Sequence, residues 1–171
     1  MSDVSPGPAL RALVDAAVDL DVGEPGTAIT VVERGDDPGP AARLAALLGE
    51  GGSVDGTGSV VGVVPRADPS LARRVGGDIE GETRLVFTGS AGDRLDGPAG
   101  AAVRSALDAH GVEAYRHEGD SPVGVLLVGE RAVVGLFDER GLAAVCWSDA
   151  PPVREWAATT CRRFLAAAEP A

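Results

Sequence analysis

The C-terminal half of the chain alternates apolar runs with turn signals, and this pattern predicts a sheet. Apolar runs cover residues 123–128, 132–137 and 142–147. A Gly-Glu-Arg turn at residues 129–131 separates the first two runs, and a polar turn ending at Gly141 separates the last two. Tight turns between such runs are typical of hairpins, so we expect an antiparallel meander. Because the runs are apolar on both faces, helices should cover the sheet on both sides.

The meander leads into the clearest helical pattern of the chain. Ser148 and Asp149 offer an N-cap, and Pro151 and Pro152 suit the first helical turn. Seven residues share one apolar stripe at helical spacing: Val153, Trp156, Ala157, Cys161, Phe164, Leu165 and Ala168. We therefore expect a closing helix that packs this stripe on the sheet.

Helical and strand-like segments alternate in the first two-thirds of the chain. Helical periodicity predicts helices over residues 8–20 and 41–48, from Asp68 onward, and over residues 96–110. Apolar runs predict strands over residues 27–32, 58–65, 83–89 and 112–118. In the helix over 96–110, Val103 and Leu107 form the predicted inner stripe and Gly111 follows the end. The sequence thus predicts one α/β domain with a mixed sheet, largely antiparallel towards its C-terminus and covered by helices.

Composition excludes several classes of function. The chain has 171 residues, a net charge of −11 and 15 basic residues, all of them Arg. No basic cluster offers the counterion release that direct nucleic-acid binding needs. Without Lys there is no P-loop lysine, no Schiff-base amine and no His/Lys pair of the phospholipase-D kind. The Lys-free, Asp-rich composition resembles that of proteins from halophilic archaea, whose acidic surfaces stay soluble in concentrated salt.

Other sequence features point to a cytoplasmic protein without a metal or cofactor. Cys146 and Cys161 lie among apolar neighbours and match no metal-site spacing, so we expect two buried free thiols. No signal-peptide pattern and no membrane-length apolar run is present. Neither Ser59 nor Ser90 satisfies the nucleophile-elbow pattern.

A few polar residues near strand ends are candidates for ligand binding. Thr88 and Ser90 lie in the small-residue loop TGSAGD after a predicted strand, where open α/β sheets bind ligands; a plain strand-to-helix turn is the alternative. His117 ends a strand close to Ser121, although such a His is often only a solvated strand end. Asp138 stands in the last meander turn. Trp147 could form an aromatic pocket wall, or could simply belong to the core. His110, at the end of a helix, is more simply a capping residue.

Residues 60–168 carry a resemblance to a known family. The segments VEAYRHE, SPVGVLLV, GERAVVGLFDERG and WSDAPPVREWA are similar to the effector (middle) domain of archaeal transcription regulators of the methanogenesis-regulatory-protein type. Phospholipase-D-like effector domains of sugar-responsive archaeal regulators are their relatives. The resemblance implies a phospholipase-D-like or related sensor fold. Residues 1–57 resemble no winged helix, so we expect either a stand-alone sensor or one that acts with a DNA-binding protein partner.

These observations predict a non-catalytic regulatory domain that responds to a small-molecule effector. It would act as a homodimer or through a protein partner, without contacting nucleic acid or membrane itself. Two alternatives stay open. The chain could be a ligand-free structural or interaction module, or a small hydrolase that uses acidic residues and His117.

Overall fold

The computed structural model describes residues 5–18, 29–51, 60–66, 83–109, 111–121, 123–138 and 141–170. The helix predicted from Asp68, much of the Gly-rich segment after residue 51, and His110 lie outside these described residues. The described helices are α1 (Pro6–Val18), α2 (Pro40–Gly51), α3 (Gly89–Asp93), α4 (Gly97–Ala109) and α5 (Pro151–Ala167). The described strands are β1 (Thr30–Glu33), β2 (Val60–Val64), β3 (Thr83–Phe87), β4 (Val112–Arg116), β5 (Val123–Val128), β6 (Arg131–Asp138), β7 (Gly141–Ser148) and β8 (Glu169–Pro170).

All of these strands join one mixed sheet in the order β1-β7-β6-β5-β2-β3-β4-β8. Strands β2, β3 and β4 run parallel to one another, whereas every other neighbouring pair is antiparallel. The predicted antiparallel meander is confirmed as β5, β6 and β7, and Gly129 has a φ of +59° in the first turn. The parallel strands all end at one edge of the sheet, which we call the strand-end edge. Strand β5 begins at the same edge, because it runs antiparallel to β2.

Helices pack on both faces of the sheet, as the apolar runs predict. On one face, α1 and α5 cover a row of neighbouring residues on β2, β5, β6 and β7: Val63, Val125, Val134 and Cys146. On the other face, Leu44 and Leu47 of α2 pack on strand residues such as Val133 and Val145. We call these the α5 face and the α2 face. Alternate residues of each strand point to opposite faces, so the continuous apolar runs fill both cores.

The closing helix follows its predicted stripe but not its predicted cap. Val153, Ala157 and Cys161 are buried against the sheet, with Trp156 and Phe164 partly buried beside them. The residue at the N-cap is Ala150, and no side chain caps the helix. The predicted cap from Ser148 and Asp149 was therefore wrong. Instead, the buried Ser148 hydroxyl accepts a hydrogen bond from the Ala150 N–H (3.1 Å), one residue before the helix.

Helix α4 is rotated relative to the prediction. Val103, predicted to face inward, is 42% exposed, while Gly100 is the buried residue of this helix. A Cβ at Gly100 would collide with the backbone of Leu95, so the helix sits tightly on the turn that precedes it. This contact sets the rotation and leaves Val103 outside. Two short elements were not predicted: α3, in the loop after β3, and β8, at the end of the described chain.

Candidate functional site

The loops that follow the three parallel strands are tied together at the strand-end edge. The Gly89 N–H, after β3, donates to the Gly119 carbonyl, after β4 (3.1 Å). The Ala91 N–H donates to the carbonyl of Pro65, after β2 (3.3 Å). Gly89 has a φ of +53°, and a Cβ there would lie 2.5 Å from Oδ1 of Asp120. A glycine is needed because any side chain would be both strained and crowded.

His117 is held in place by the same loops. Its backbone N–H extends the β3–β4 pairing by donating to the Phe87 carbonyl (3.0 Å). Its ring Nδ1 accepts a hydrogen bond from the Gly119 N–H (2.8 Å), so a neutral ring carries its proton on Nε2. The ring also contacts Phe164 of α5, with centroids 4.9 Å apart and planes tilted by 60°. His117 is therefore a fixed side chain whose Nε2–H remains as a donor.

A cleft of about 470 Å³ lies beside His117. Its walls are formed by Leu95 and Arg104, by residues 116–118, and by the end of the described chain at Ala167, Glu169 and Pro170. Acidic side chains from Asp96, Glu118 and Glu169 share the lining with the Arg and His groups. A lining of both charges suits a small polar molecule that presents acceptors as well as donors.

Both arginines of the cleft are fixed by neighbours. Arg104 Nη1 donates to the Leu95 carbonyl at 2.9 Å. Arg116 forms an ion pair with Asp96 and lies 3.8 Å from a carboxylate oxygen of Asp93. Guanidinium groups with one edge already bonded lose little freedom when they bind a ligand through another edge. Both guanidinium groups of the cleft therefore have protein partners that hold them in place.

Three of the predicted site residues lie near the cleft without lining it. Thr88 is fully buried at the end of β3, and within the described part of the chain its hydroxyl has no hydrogen-bond partner. Ser90 is exposed on α3. The buried Ser121 hydroxyl donates to the Val123 carbonyl (2.6 Å), just ahead of β5. Of the predicted site residues, the cleft lining includes His117.

The structure does not bring Asp138 and Trp147 to this site. Asp138 forms a bidentate ion pair with Arg34, with N–O distances of 2.7 and 3.0 Å. Trp147 packs on the α2 face, where the Arg43 guanidinium carbon lies 4.8 Å from its ring centroid. Strand β7 is four strands from β3. That separation corresponds to about 19 Å at the usual strand spacing. A role for either residue in ligand binding stays a prediction.

Several residues of the cleft were not predicted from the sequence. Arg104 lies on α4, Arg116 ends β4, and Glu169 and Pro170 form β8. One signal was available, because Arg116 directly precedes His117. The approach of Arg104 and of β8 depends on how α4 and α5 pack, which no local pattern records.

The two cysteines, Cys146 and Cys161, are buried and free. In the described ranges, no three His, Cys, Asp or Glu side chains come together in a way that could hold a metal ion. Burial raises the pKa of Cys146 and of Cys161 to about 12, so both remain neutral thiols. Among the helices described here, none is long and apolar enough to cross a membrane.

Comparison with known proteins gives a family match and several fold relatives. Residues 39–167 match the family described as "Methanogenesis regulatory protein FilR1, middle domain". The structure is similar to that of TrmBL2, an archaeal chromatin protein, with 15% identity and a TM-score of 0.56 over 96% of this chain. This chain spans 62% of TrmBL2, so more than a third of that protein has no counterpart in this chain. No curated protein matches the chain.

Two bacterial enzymes share the fold. Nuc, a phospholipase D family member from Salmonella typhimurium, aligns with 11% identity and a TM-score of 0.63, over 85% of this chain and 98% of Nuc. Polyphosphate kinase from Porphyromonas gingivalis aligns with 13% identity and a TM-score of 0.60, over 84% of this chain and 27% of the kinase. At these identities the likeness shows the fold alone. The predicted phospholipase-D-like architecture is thereby confirmed.

Proposed function

This chain belongs to the FilR1 middle-domain family of archaeal transcription regulators, and we propose that it is a non-catalytic domain that binds a small polar effector beside His117. The effector would occupy the cleft between α4, β4 and the end of the described chain. The domain would pass its response to a second copy or to a DNA-binding protein partner. The net charge of −11 argues against direct contact with a phosphate backbone.

The fixed geometry of His117 is the observation that carries this proposal. Its Nδ1 is already engaged by the Gly119 N–H, so Nε2 is the ring atom left to donate to an effector oxygen. Arg104 and Arg116 add charged donors on the same cleft, and each is already oriented by a bond to the protein. A carboxylate, phosphate or hydroxyl oxygen would satisfy these donors.

The contacts of His117 also offer a route for the response. Its ring packs on Phe164 of α5, the helix that covers the sheet next to α1. Its loop is bonded to Gly89 through the Gly119 carbonyl. An effector that moves the ring would therefore act on both α5 and the loop that contains α3. Differential contacts of this kind are what a ligand needs to shift a conformational equilibrium.

The family match and the composition support a regulatory rather than a catalytic function for this domain. The matching family is a middle domain of a regulatory protein. The chain has no Lys, so the paired His and Lys chemistry of phospholipase-D enzymes has no counterpart in its sequence. A shared fold with such enzymes does not carry their chemistry.

Thermal unfolding in concentrated KCl tests the proposal. The wild type is screened against sugars, sugar phosphates, organic acids and nucleotides, and hits are repeated with His117→Ala and with His110→Ala, which removes the other histidine of the chain. We expect one chemical class to raise the thermal unfolding midpoint of the wild type and of His110→Ala. At 100 times its Kd, such a ligand adds about 2.7 kcal/mol to the free energy of unfolding. His117→Ala should lose most of this gain. The proposal fails if no class stabilises the wild type, or if His117→Ala responds in full.

A further inference from the structure

The charged side chains that line the effector cleft differ in how far the protein already neutralises them. The lining holds two cations, three carboxylates and one imidazole: Arg104, Arg116, Asp96, Glu118, Glu169 and His117. Arg116 forms an ion pair with Asp96 and lies 3.8 Å from a carboxylate oxygen of Asp93. The charges of Arg116 and Asp96 are therefore already matched inside the protein.

Arg104 is a lining cation whose charge is not matched in this way. Its Nη1 donates to the carbonyl oxygen of Leu95 (2.9 Å), which is a neutral acceptor. Asp108 lies one turn further along α4, but the described structure contains no ion pair between these two residues. The Nε2–H of His117 adds a neutral donor to the same lining. An effector carboxylate would therefore find its hydrogen-bond donors at Arg104 and His117.

Glu118 and Glu169 are lining carboxylates that form no ion pair within the described residues. Glu169 stands opposite Arg116 in the pairing of β8 with β4, so the two side chains leave the same face of the sheet. Arg116 is nevertheless held by Asp96. Glu118 follows Arg116 by two residues and is exposed. The cleft thus presents two carboxylates to a bound molecule without a protein counter-charge.

The charges around the cleft do not cancel this pattern. Asp93 shares Arg116 with Asp96, which makes the neighbourhood more negative. Three exposed cations of neighbouring segments stay outside the lining: Arg94, Arg162 and Arg163. In the part of the chain that the structure describes, none of these three forms an ion pair with a carboxylate of the cleft. Solvent also weakens the effect of exposed cations at a distance.

This distribution of charge discriminates between classes of small molecule. A simple anion would be attracted by Arg104 but repelled by Glu118 and Glu169. A simple cation would be attracted by the two carboxylates and would leave Arg104 without a counter-charge. A neutral sugar could form hydrogen bonds but would neutralise neither kind of group. A molecule with one carboxylate and one ammonium group offers a counter-charge to both.

We infer that the effector is a small zwitterion of the amino-acid class. Its carboxylate binds Arg104 and Nε2 of His117, and its ammonium group binds Glu118 and Glu169. The rest of the lining is apolar and suits a short aliphatic side chain: Leu95, Ala167 and Pro170. The inference rests on the proposed function, because it names the chemical class that the same cleft selects.

Matched sets of compounds test the inference on the full chain. The protein amino acids, β-alanine and 4-aminobutyrate are added to the organic acids of the effector screen, at one KCl concentration. Each amino acid that raises the thermal unfolding midpoint is compared with the acid that lacks its amino group and with the amine that lacks its carboxylate. Isothermal titration calorimetry then gives the Kd of each of the three compounds.

Three isosteric variants locate the binding of the ammonium group. Glu118→Gln and Glu169→Gln each remove one carboxylate of the cleft. Glu130→Gln makes the same change in net charge in the exposed turn between β5 and β6, at the opposite edge of the sheet. All three positions are exposed, so these variants should keep the fold.

We expect the best amino acid to bind about tenfold more tightly than either its acid or its amine, because each of these lacks one charge-assisted contact. Glu118→Gln and Glu169→Gln should each weaken binding of the amino acid by about fivefold. Both variants should bind the matching acid at least as well as the wild type does, because each removes a repelling carboxylate. Glu130→Gln should change the Kd of the amino acid by less than about twofold.

Two results would overturn the inference while an effector is still found. Equal affinity for the amino acid and its acid would mean that the ammonium group is not recognised. Equal effects of Glu118→Gln, Glu169→Gln and Glu130→Gln would mean that the cleft carboxylates do not bind it. Stabilisation by a sugar or a phosphate that is lost in His117→Ala, with no response to any amino acid, would contradict this inference and leave the proposed function standing. No stabilisation by any compound would contradict both.

Discussion

Replacing Gly89 with alanine should destabilise the strand-end loops through two separable effects. Gly89 has a φ of +53°, a conformation that costs an alanine roughly 1 kcal/mol. The new Cβ would also lie 2.5 Å from Oδ1 of Asp120 and must displace it. That carboxylate oxygen accepts the Ser121 N–H at 2.8 Å, and losing this bond costs about another 1 kcal/mol. We expect Gly89→Ala to lower the free energy of unfolding by about 2–3 kcal/mol.

Gly97 provides the matched control for this substitution. It has a φ of +71°, so alanine is strained there too, but no atom lies within 4 Å of the added Cβ. Gly97→Ala should therefore show only the backbone cost, about 1 kcal/mol. Urea unfolding followed by circular dichroism would measure both values. For a chain of this size the loss at Gly89 corresponds to about 4–12 °C in the melting temperature.

The crowding at Gly89 can be tested separately from the strain. Asp120→Ala removes the carboxylate that the new Cβ would meet. In that background, Gly89→Ala should cost less than it does in the wild type, and what remains is the backbone strain and the Pro65 carbonyl oxygen 3.3 Å from the added Cβ. Equal losses for Gly89→Ala and Gly97→Ala in the wild type would show that the strand-end loops are not packed as described.

Three further predictions concern the thiols, the rotation of α4 and the charge of the chain. Cys146 and Cys161, with pKa values raised by burial from 9.0 to about 12, should not react with Ellman's reagent at pH 8 until the chain is unfolded. Because the unfolded thiols ionise first, stability should fall as pH rises above 9.0 towards 12, which urea titrations at several pH values would show. Val103→Asp, at a 42% exposed position, should lower the free energy of unfolding by less than about 0.5 kcal/mol, whereas Val134→Asp in the core should prevent folding. A large loss of stability in Val103→Asp would contradict the observed rotation of α4. With a net charge of −11, the chain should melt at higher temperature as KCl screens its self-repulsion, and a flat salt dependence would count against that view.

Local sequence patterns predicted the elements of the sheet because each depends on near neighbours. The runs of β5, β6 and β7 are apolar on both faces, and glycines mark their turns, so their pairing could be read from the chain. The apolar stripe of α5 was equally local. The rotation of α4 was not, because it depends on the contact between Gly100 and the backbone of Leu95. A glycine at a packed position carries no apolar signal.

The candidate site was only partly predictable for a similar reason. His117 could be identified because it ends a strand in a sheet whose loops gather at one edge. Trp147 follows Cys146 on β7, and successive strand residues point to opposite faces. The sequence does not indicate which face of the sheet α5 and His117 share, because that depends on tertiary packing. The approach of Arg104 and β8 to His117 depended on it as well.

A ¹⁵N spectrum of the wild-type chain, titrated with the compound that stabilises it best, shows directly whether the effector binds beside His117. We expect the amide signals of Gly119 and Gly89 to move on binding, because both lie in the loops bonded to His117. The indole N–H signal of Trp147, on the α2 face, should stay in place. A shift at Trp147 with unchanged signals at Gly119 and Gly89 would contradict the claim that the effector binds beside His117.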